Sequence, residues 1–209
     1  MTRLRPVVTA LAVALPLTLA SSRAGAQIHW DASAQVGVMK RVLTQRQVGD
    51  PVAQLGPAGQ LTAHIALLPL VRVGAYLGHD ISPFDGQRSA RDITWGGLRA
   101  KLMSPWPRGD ARLWLFLGFG YAGVYQRSTS LDPAPGFVPG AGGSFFEVPF
   151  GLGASYKLRK PWELCAELGG RAGFGHTGSV YEAKDPRGDE RAGTDRFAVG
   201  LTIGVLLDL

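Results

Sequence analysis

Nucleophilic or metal chemistry needs histidines, cysteines and carboxylates brought together, and this chain holds four histidines and one cysteine. His29, His64, His79 and His176 are scattered, and Cys165 stands alone, so no metal-ligand spacing is present. The nearest thing to a nucleophilic set is His79-Asp80 with Ser82. Such a site works by convergence of its side chains. Neighbours in an extended chain point to opposite sides, so His79 and Asp80 are expected to diverge. Gly118-x-Gly120 and Gly151-x-Gly153 lack the rest of a phosphate loop. The sequence therefore predicts no catalytic residue, no cofactor site and no metal site. What remains is a set of charges at alternating positions: Arg72, Arg99, Lys101, Glu147, Glu167, Arg171 and Arg196. They predict a paired, enclosed ionic network, because buried charges persist only when partnered. An ion or solute pathway is the functional alternative for the same residues.

The elements that carry these charges alternate with a period of two, which is the signature of strands. The last segment, Arg196–Leu209, shows it best. Phe197, Val199, Leu201, Ile203, Val205, Leu207 and Leu209 form one apolar row. The opposite row is small, polar or charged except for Leu206. The apolar row is about as long as a tilted membrane strand of roughly 9–11 residues. Seven further segments read the same way: Trp30–Val42, Gly59–Leu67, Val71–Asp80, Ile93–Met103, Ala111–Arg127, Ser144–Leu158 and Glu163–Gly175. Pro149 falls on the polar row of the sixth. Because proline has no N–H for the ladder, a bulge or a pairing break is expected there.

The connections alternate in length. Those near residues 50, 86, 136 and 186 are long, and those near 69, 107 and 160 are short and rich in turn residues. In a meander, alternate connections share an end. Short turns on one side and long loops on the other, with an even strand number, describe an all-β, eight-stranded antiparallel up-and-down transmembrane β-barrel. Both termini and the short turns then face the periplasm. Trp30, Trp106, Trp114 and Trp162 map near that end, and Tyr121, Tyr125 and Phe146 map to an outer belt, as interfacial girdles require. An eight-stranded lumen is just wide enough for side chains to fill. Inward glycines would make room for Tyr76, Trp114 and Phe116. A greasy row longer than a narrow lumen could hold places the apolar side outward.

The first 26 residues stand apart. Arg3 and Arg5 precede the apolar run Val7–Ala20, and Ala24-Gly25-Ala26 is a cleavage site of the A-x-A kind. This is a secretory signal peptide, with the barrel domain at 27–209. Removing 26 of the 209 residues leaves 183, enough for one domain. Losing Arg3, Arg5 and Arg23 lowers the net charge from +6 to +3, which argues against nucleic acid as a partner. One cysteine permits no internal disulfide.

The signal A24-G25-A26, the eight dyad-period segments and the terminal run F197-x-V199-x-L201-x-I203 resemble the small bacterial eight-stranded outer-membrane barrels of the OmpA/OmpX type. That resemblance covers Gln27–Leu209. It implies a monomer in the outer membrane of a Gram-negative bacterium, with no attached periplasmic domain, recognised during biogenesis by the barrel assembly machinery. Family members usually end in an aromatic residue; this chain ends in Leu209. The expected role is structural or surface-interactive, acting through the extracellular loops and without catalysis. Outer-membrane lipids are the expected partners. The mixed-charge run Asp185, Arg187, Asp189, Glu190, Arg191, Asp195 and Arg196 could also contact lipopolysaccharide phosphates. The alternatives are a lipid-modifying barrel enzyme, a soluble periplasmic barrel carrying an apolar ligand, and a narrow porin-like channel. For the enzyme, His176 is expected to face lipid. It resembles the histidine of an outer-membrane lipid A deacylase, but that family's H-x-S is replaced by His176-Thr177-Gly178-Ser179.

Overall fold

A computed structural model describes residues 29–43, 53, 55–84, 89–105, 109–128, 140–182 and 194–209. The expected signal peptide, most of the charged run before Asp195, and Trp106 lie outside the described residues. The strands are β1 (Trp30–Leu43), β2 (Leu55–Leu68), β3 (Val71–Phe84), β4 (Ser89–Met103), β5 (Ala111–Ser128), β6 (Gly142–Arg159), β7 (Trp162–Thr177) and β8 (Asp195–Asp208). One short helix, α1 (Ser179–Glu182), precedes β8. Each strand pairs antiparallel with its sequence neighbours, and β8 closes on β1. Closure matters physically because lipid leaves no solvent for an open sheet edge.

The register gives the stagger. From Trp30 the ladder runs through Ile65, Val73, Ala100, Leu117, Phe150, Gly170 and Val199, and returns to β1 at Lys40, ten residues further on. The strands are therefore strongly tilted, as barrel closure demands.

Several strands reach further than their alternation suggests. β2 begins at Leu55 instead of Gly59, β3 runs on to Phe84, β4 begins at Ser89 and β6 begins at Gly142. All four extensions lie at the long-loop end. There the wall no longer separates hydrocarbon from lumen, so the two-residue period fades while the backbone ladder continues. Pro149 behaves as its chemistry requires. The β5–β6 ladder skips from Leu117↔Phe150 to Gly120↔Glu147 without a change of register, while Pro149 stays paired with Arg171 of β7.

The apolar row faces out along the barrel. Leu61, Leu98, Leu117, Phe119, Leu152, Leu201 and Ile203 are all exposed on the outer wall. Tyr121, Tyr125 and Phe146 are exposed near the long-loop end, where Phe146 stacks on Phe119 and Phe174 at ring separations of 5.8 and 5.9 Å. Trp162 is exposed at the opposite end. Trp114 takes the lumen place that the inward glycines anticipate and not a place in the periplasmic belt. It lies on the inward row of β5, only 3% exposed, and forms part of the lumen. Its parity decides this: Leu113 and Leu115 take the outer positions.

Bulges re-aim two residues. β1 and β8 pair Val42 with Phe197, then Leu43 with Asp195, so Arg196 is the extra residue. Asp195 turns into the lumen and Arg196 is exposed outside. The expected inward Arg196 is thus corrected by one residue of slip, which exchanges faces. On β7 the ladder shifts between Phe146↔Phe174 and Ser144↔Thr177. Gly175, at φ +66°, supplies the left-handed residue. His176 consequently does not face lipid. It stacks on the buried ring of Phe145 at 5.1 Å and meets Tyr181 edge-on at 5.0 Å.

Candidate functional site: the ionic lumen

The inward row places charges from seven of the eight strands inside one narrow cylinder, where they form three levels; β2 adds Gln60 and His64. At the short-turn end, Asp31 of β1 accepts hydrogen bonds from Lys101 Nζ (2.9 Å), Arg72 Nη1 (2.7 Å) and His64 Nδ1 (3.0 Å). Arg72 also donates to Asp208 (3.0 Å). Arg112 joins Asp208 to Glu163, and Ser155 donates to the other oxygen of Glu163 at 2.7 Å.

At mid-height, Arg99 of β4 grips Glu167 of β7 through two bonds of 2.9 and 2.7 Å. Such bidentate pairs are directional as well as strong. Gln60 donates to Glu167 at 2.7 Å and to Gln35 at 3.1 Å, and Thr202 donates to Gln35 at 2.6 Å. His64 ties this level to the one below. Its Nε2 accepts from Arg99 Nε at 3.0 Å while Nδ1 donates to Asp31, which fixes a neutral ring with the proton on Nδ1.

Towards the long-loop end, Arg41 holds Asp80 with bonds of 2.9 and 2.7 Å, and Trp95 donates to the same carboxylate at 2.7 Å. Arg171 donates to Glu147 at 2.5 Å, and Tyr76 donates there at 3.0 Å. The Arg171 guanidinium lies over Trp95, 3.4 Å from the ring centre. The top of the network is Asp195, which takes Arg91 at 3.0 Å and the Tyr181 hydroxyl at 2.9 Å. Burial, and then the Asp195 carboxylate, push the Tyr181 phenol well above its ordinary pKa. Val180 and Tyr181 of α1 are buried, so this single helical turn is seated on the barrel mouth.

Six of the seven sequence-predicted lumen residues meet here: Arg72, Arg99, Lys101, Glu147, Glu167 and Arg171. Arg196 does not, and Asp195 takes its place. Among the described residues, seven cationic side chains pair with seven carboxylates in the lumen and at its mouth. Asp31, Arg41, Asp80, Arg91, Arg112, Glu163 and Asp208 were missed as members, although each lies on the inward parity of its strand. Trp95 was missed too, because the alternation in β4 is broken by Gly96-Gly97. The pairs join strands far apart around the wall, such as β4 with β7 and β4 with β8. A void of ≈ 20 Å³ remains between Met39, Gln60, Phe116 and Arg171, about the room one water needs.

The other candidates do not assemble. His79 is exposed on the outer wall and shares a 2.9 Å hydrogen bond with Thr94, while Asp80 and Ser82 are buried inside. Ser179 donates to the Gly142 carbonyl at 3.2 Å, and His176 Nε2 lies 3.2 Å from the Asp195 carbonyl. Cys165 is buried in the lower lumen beside Trp114 and Leu206. No group of three metal-ligating side chains occurs among the described residues.

No protein-family model matches the chain, and no curated protein sequence matches it. Solved structures do. Neisserial surface protein A superposes with a TM-score of 0.61 at 9% identity, covering 86% of this chain and 97% of that one. A major outer membrane protein from Thermus thermophilus gives 0.55 at 12% identity, covering 87% and 99%. At such identities the likeness speaks for the fold. With the apolar outer wall and the closed ladder, it makes this chain an eight-stranded β-barrel of the outer-membrane kind.

Proposed function

We propose that the protein is a non-catalytic, monomeric barrel of the bacterial outer membrane, serving the cell envelope structurally and through its long extracellular loops. The observation that carries this reading is the balanced, cross-bonded lumen inside an apolar wall. A channel needs charges left free to meet a passing ion. Here each arginine or lysine of the three levels is bonded to a carboxylate, and the pairs brace the wall from within. A soluble carrier of an apolar ligand would reverse the two faces. In this reading residues 1–26 export the chain and are removed. The barrel assembly machinery inserts the mature chain, and membrane lipids surround it. Lipopolysaccharide phosphates meet the outer rim, where Arg196 faces outward. Reconstitution into a planar bilayer tests the plug: the intact barrel should show no stepwise conductance. Stable ohmic steps would replace this reading with the channel. Deleting the loop between α1 and β8 tests the surface role; adhesion and envelope permeability that both stay unchanged would remove that loop from it.

A further inference from the structure

The geometry points to a binding site for anionic phospholipid headgroups at the β6–β7 turn, built from Arg159, Lys160 and Trp162. The inference rests on the outer-membrane reading, which makes this the periplasmic leaflet. Strand parity alone would aim Arg159 into the lumen, in line with Glu147 and Ser155. A register shift between Lys157 and Arg159 prevents that. Lys157 pairs with Glu163, but Arg159 pairs with Trp162, so one residue has been inserted. The slip carries Arg159 to the outer face, opposite Trp162, which is 50% exposed. Tyr156 and Leu158 flank the pair on the same outer surface, 53% and 62% exposed. Arg159 and Lys160 are both exposed, and among the described residues neither is ion-paired.

The two wall carboxylates near this turn, Glu163 and Asp208, are already committed. Glu163 is held by Arg112 and Ser155, and Asp208 by Arg72 and Arg112. Asp110, on the adjoining turn, meets Lys157 through the backbone: its carbonyl accepts the Lys157 N–H at 2.9 Å. Arg159 and Lys160 thus stand unpartnered where the greasy wall ends, beside a tryptophan of the kind that settles at headgroup depth. A phosphate carrying a net negative charge completes that arrangement; a zwitterionic headgroup brings its own cation and completes it poorly.

Trp162 is a built-in reporter. The protein is reconstituted in phosphatidylcholine vesicles containing either brominated phosphatidylglycerol or brominated phosphatidylcholine. The Trp162 signal is taken as the difference from Trp162→Phe. Phosphatidylglycerol should quench it at lower mole fraction. The ratio of the two affinities should fall by roughly tenfold or more in Arg159→Gln/Lys160→Gln, fall in high salt, and persist in Arg159→Lys/Lys160→Arg. Lys40→Gln, at the opposite rim, should leave it unchanged. Equal quenching by the two lipids, or a ratio unaltered in the double variant, would overturn the inference alone. No quenching by either lipid would mean that Trp162 never meets a bilayer, and would overturn the membrane reading beneath it.

Discussion

Glu167→Gln is the most informative single change. Glu167 and Arg99 have side chains 2% exposed, and Arg99 spends two hydrogen bonds on that carboxylate. Glutamine keeps the shape and one acceptor but removes the charge. Arg99 then keeps its charge with no carboxylate against it; its remaining contacts are His64 Nε2 and the Phe116 ring, 4.8 Å away. The Gln60 and Trp114 donors also lose a charged acceptor. Breaking one side of a buried pair costs about 3–5 kcal/mol, a change of roughly a hundredfold or more in the folded-to-unfolded ratio. Removing both charges at once, as Arg99→Met/Glu167→Leu, should cost less than the sum of the two single changes, because no unpaired charge remains. Urea unfolding in lipid vesicles, read as the fraction of chains that keep the mobility of a folded barrel on unheated gels, measures both quantities. The reasoning fails if Glu167→Gln costs under about 1 kcal/mol, the size of an exposed pair, or if the double change is fully additive.

Further changes test other parts of the structure by the same unfolding assay. A Cβ at Gly153 would land inside the Trp114 indole, so Gly153→Val should destabilise by about 1–3 kcal/mol through overpacking, and a neutral result would contradict the inward position of Trp114. Gly175→Ala should be destabilising by about 1 kcal/mol, since alanine at φ +66° is strained. Tyr181→Phe removes one of the partners of Asp195, whose Oδ1 is already unbonded, and should cost about 1–3 kcal/mol. The Tyr181 phenol has its pKa raised by folding. Its contribution is therefore complete below the unfolded tyrosine pKa of about 10 and declines as pH rises above it. An ultraviolet phenolate titration of the folded barrel should show fewer ionised tyrosines at moderately alkaline pH than the unfolded chain, and Tyr181→Phe should shrink that difference by one tyrosine.

The membrane-spanning part of the fold was legible because hydrocarbon imposes a rule on every second residue. Val36, Leu61, Leu77, Leu117 and Leu201 obey it, and the inward charges stand between them. Legibility ended where that rule relaxes. Leu55–Ala58 and Ser89–Asp92 belong to strands, but Leu-Gly-Pro-Ala and Ser-Ala-Arg-Asp show no two-residue contrast between apolar and polar, so alternation carries no signal. Bulges defeated parity for a different reason. Nothing local in Leu43 and Asp195–Phe197 announces that two residues face one; the slip is set across strands. It exchanged Arg196 for Asp195, turned His176 away from lipid and moved Arg159 onto the outer face. The partnership between charges was equally invisible. Parity places Arg99 and Glu167 inside, but the ten-residue stagger determines that they meet.

The account depends on which row of β8 touches hydrocarbon. Spin labels placed one at a time along β8, in a Cys165→Ala background and in bilayers, measure this through collision with oxygen, which dissolves in lipid, and with a water-soluble nickel complex. Val199, Leu201, Ile203 and Val205 should be reached by oxygen and shielded from nickel, while Ala198, Thr202 and Leu206 should be shielded from both. Nickel reaching the first set, with oxygen preferring the second, would turn the barrel inside out and end the account.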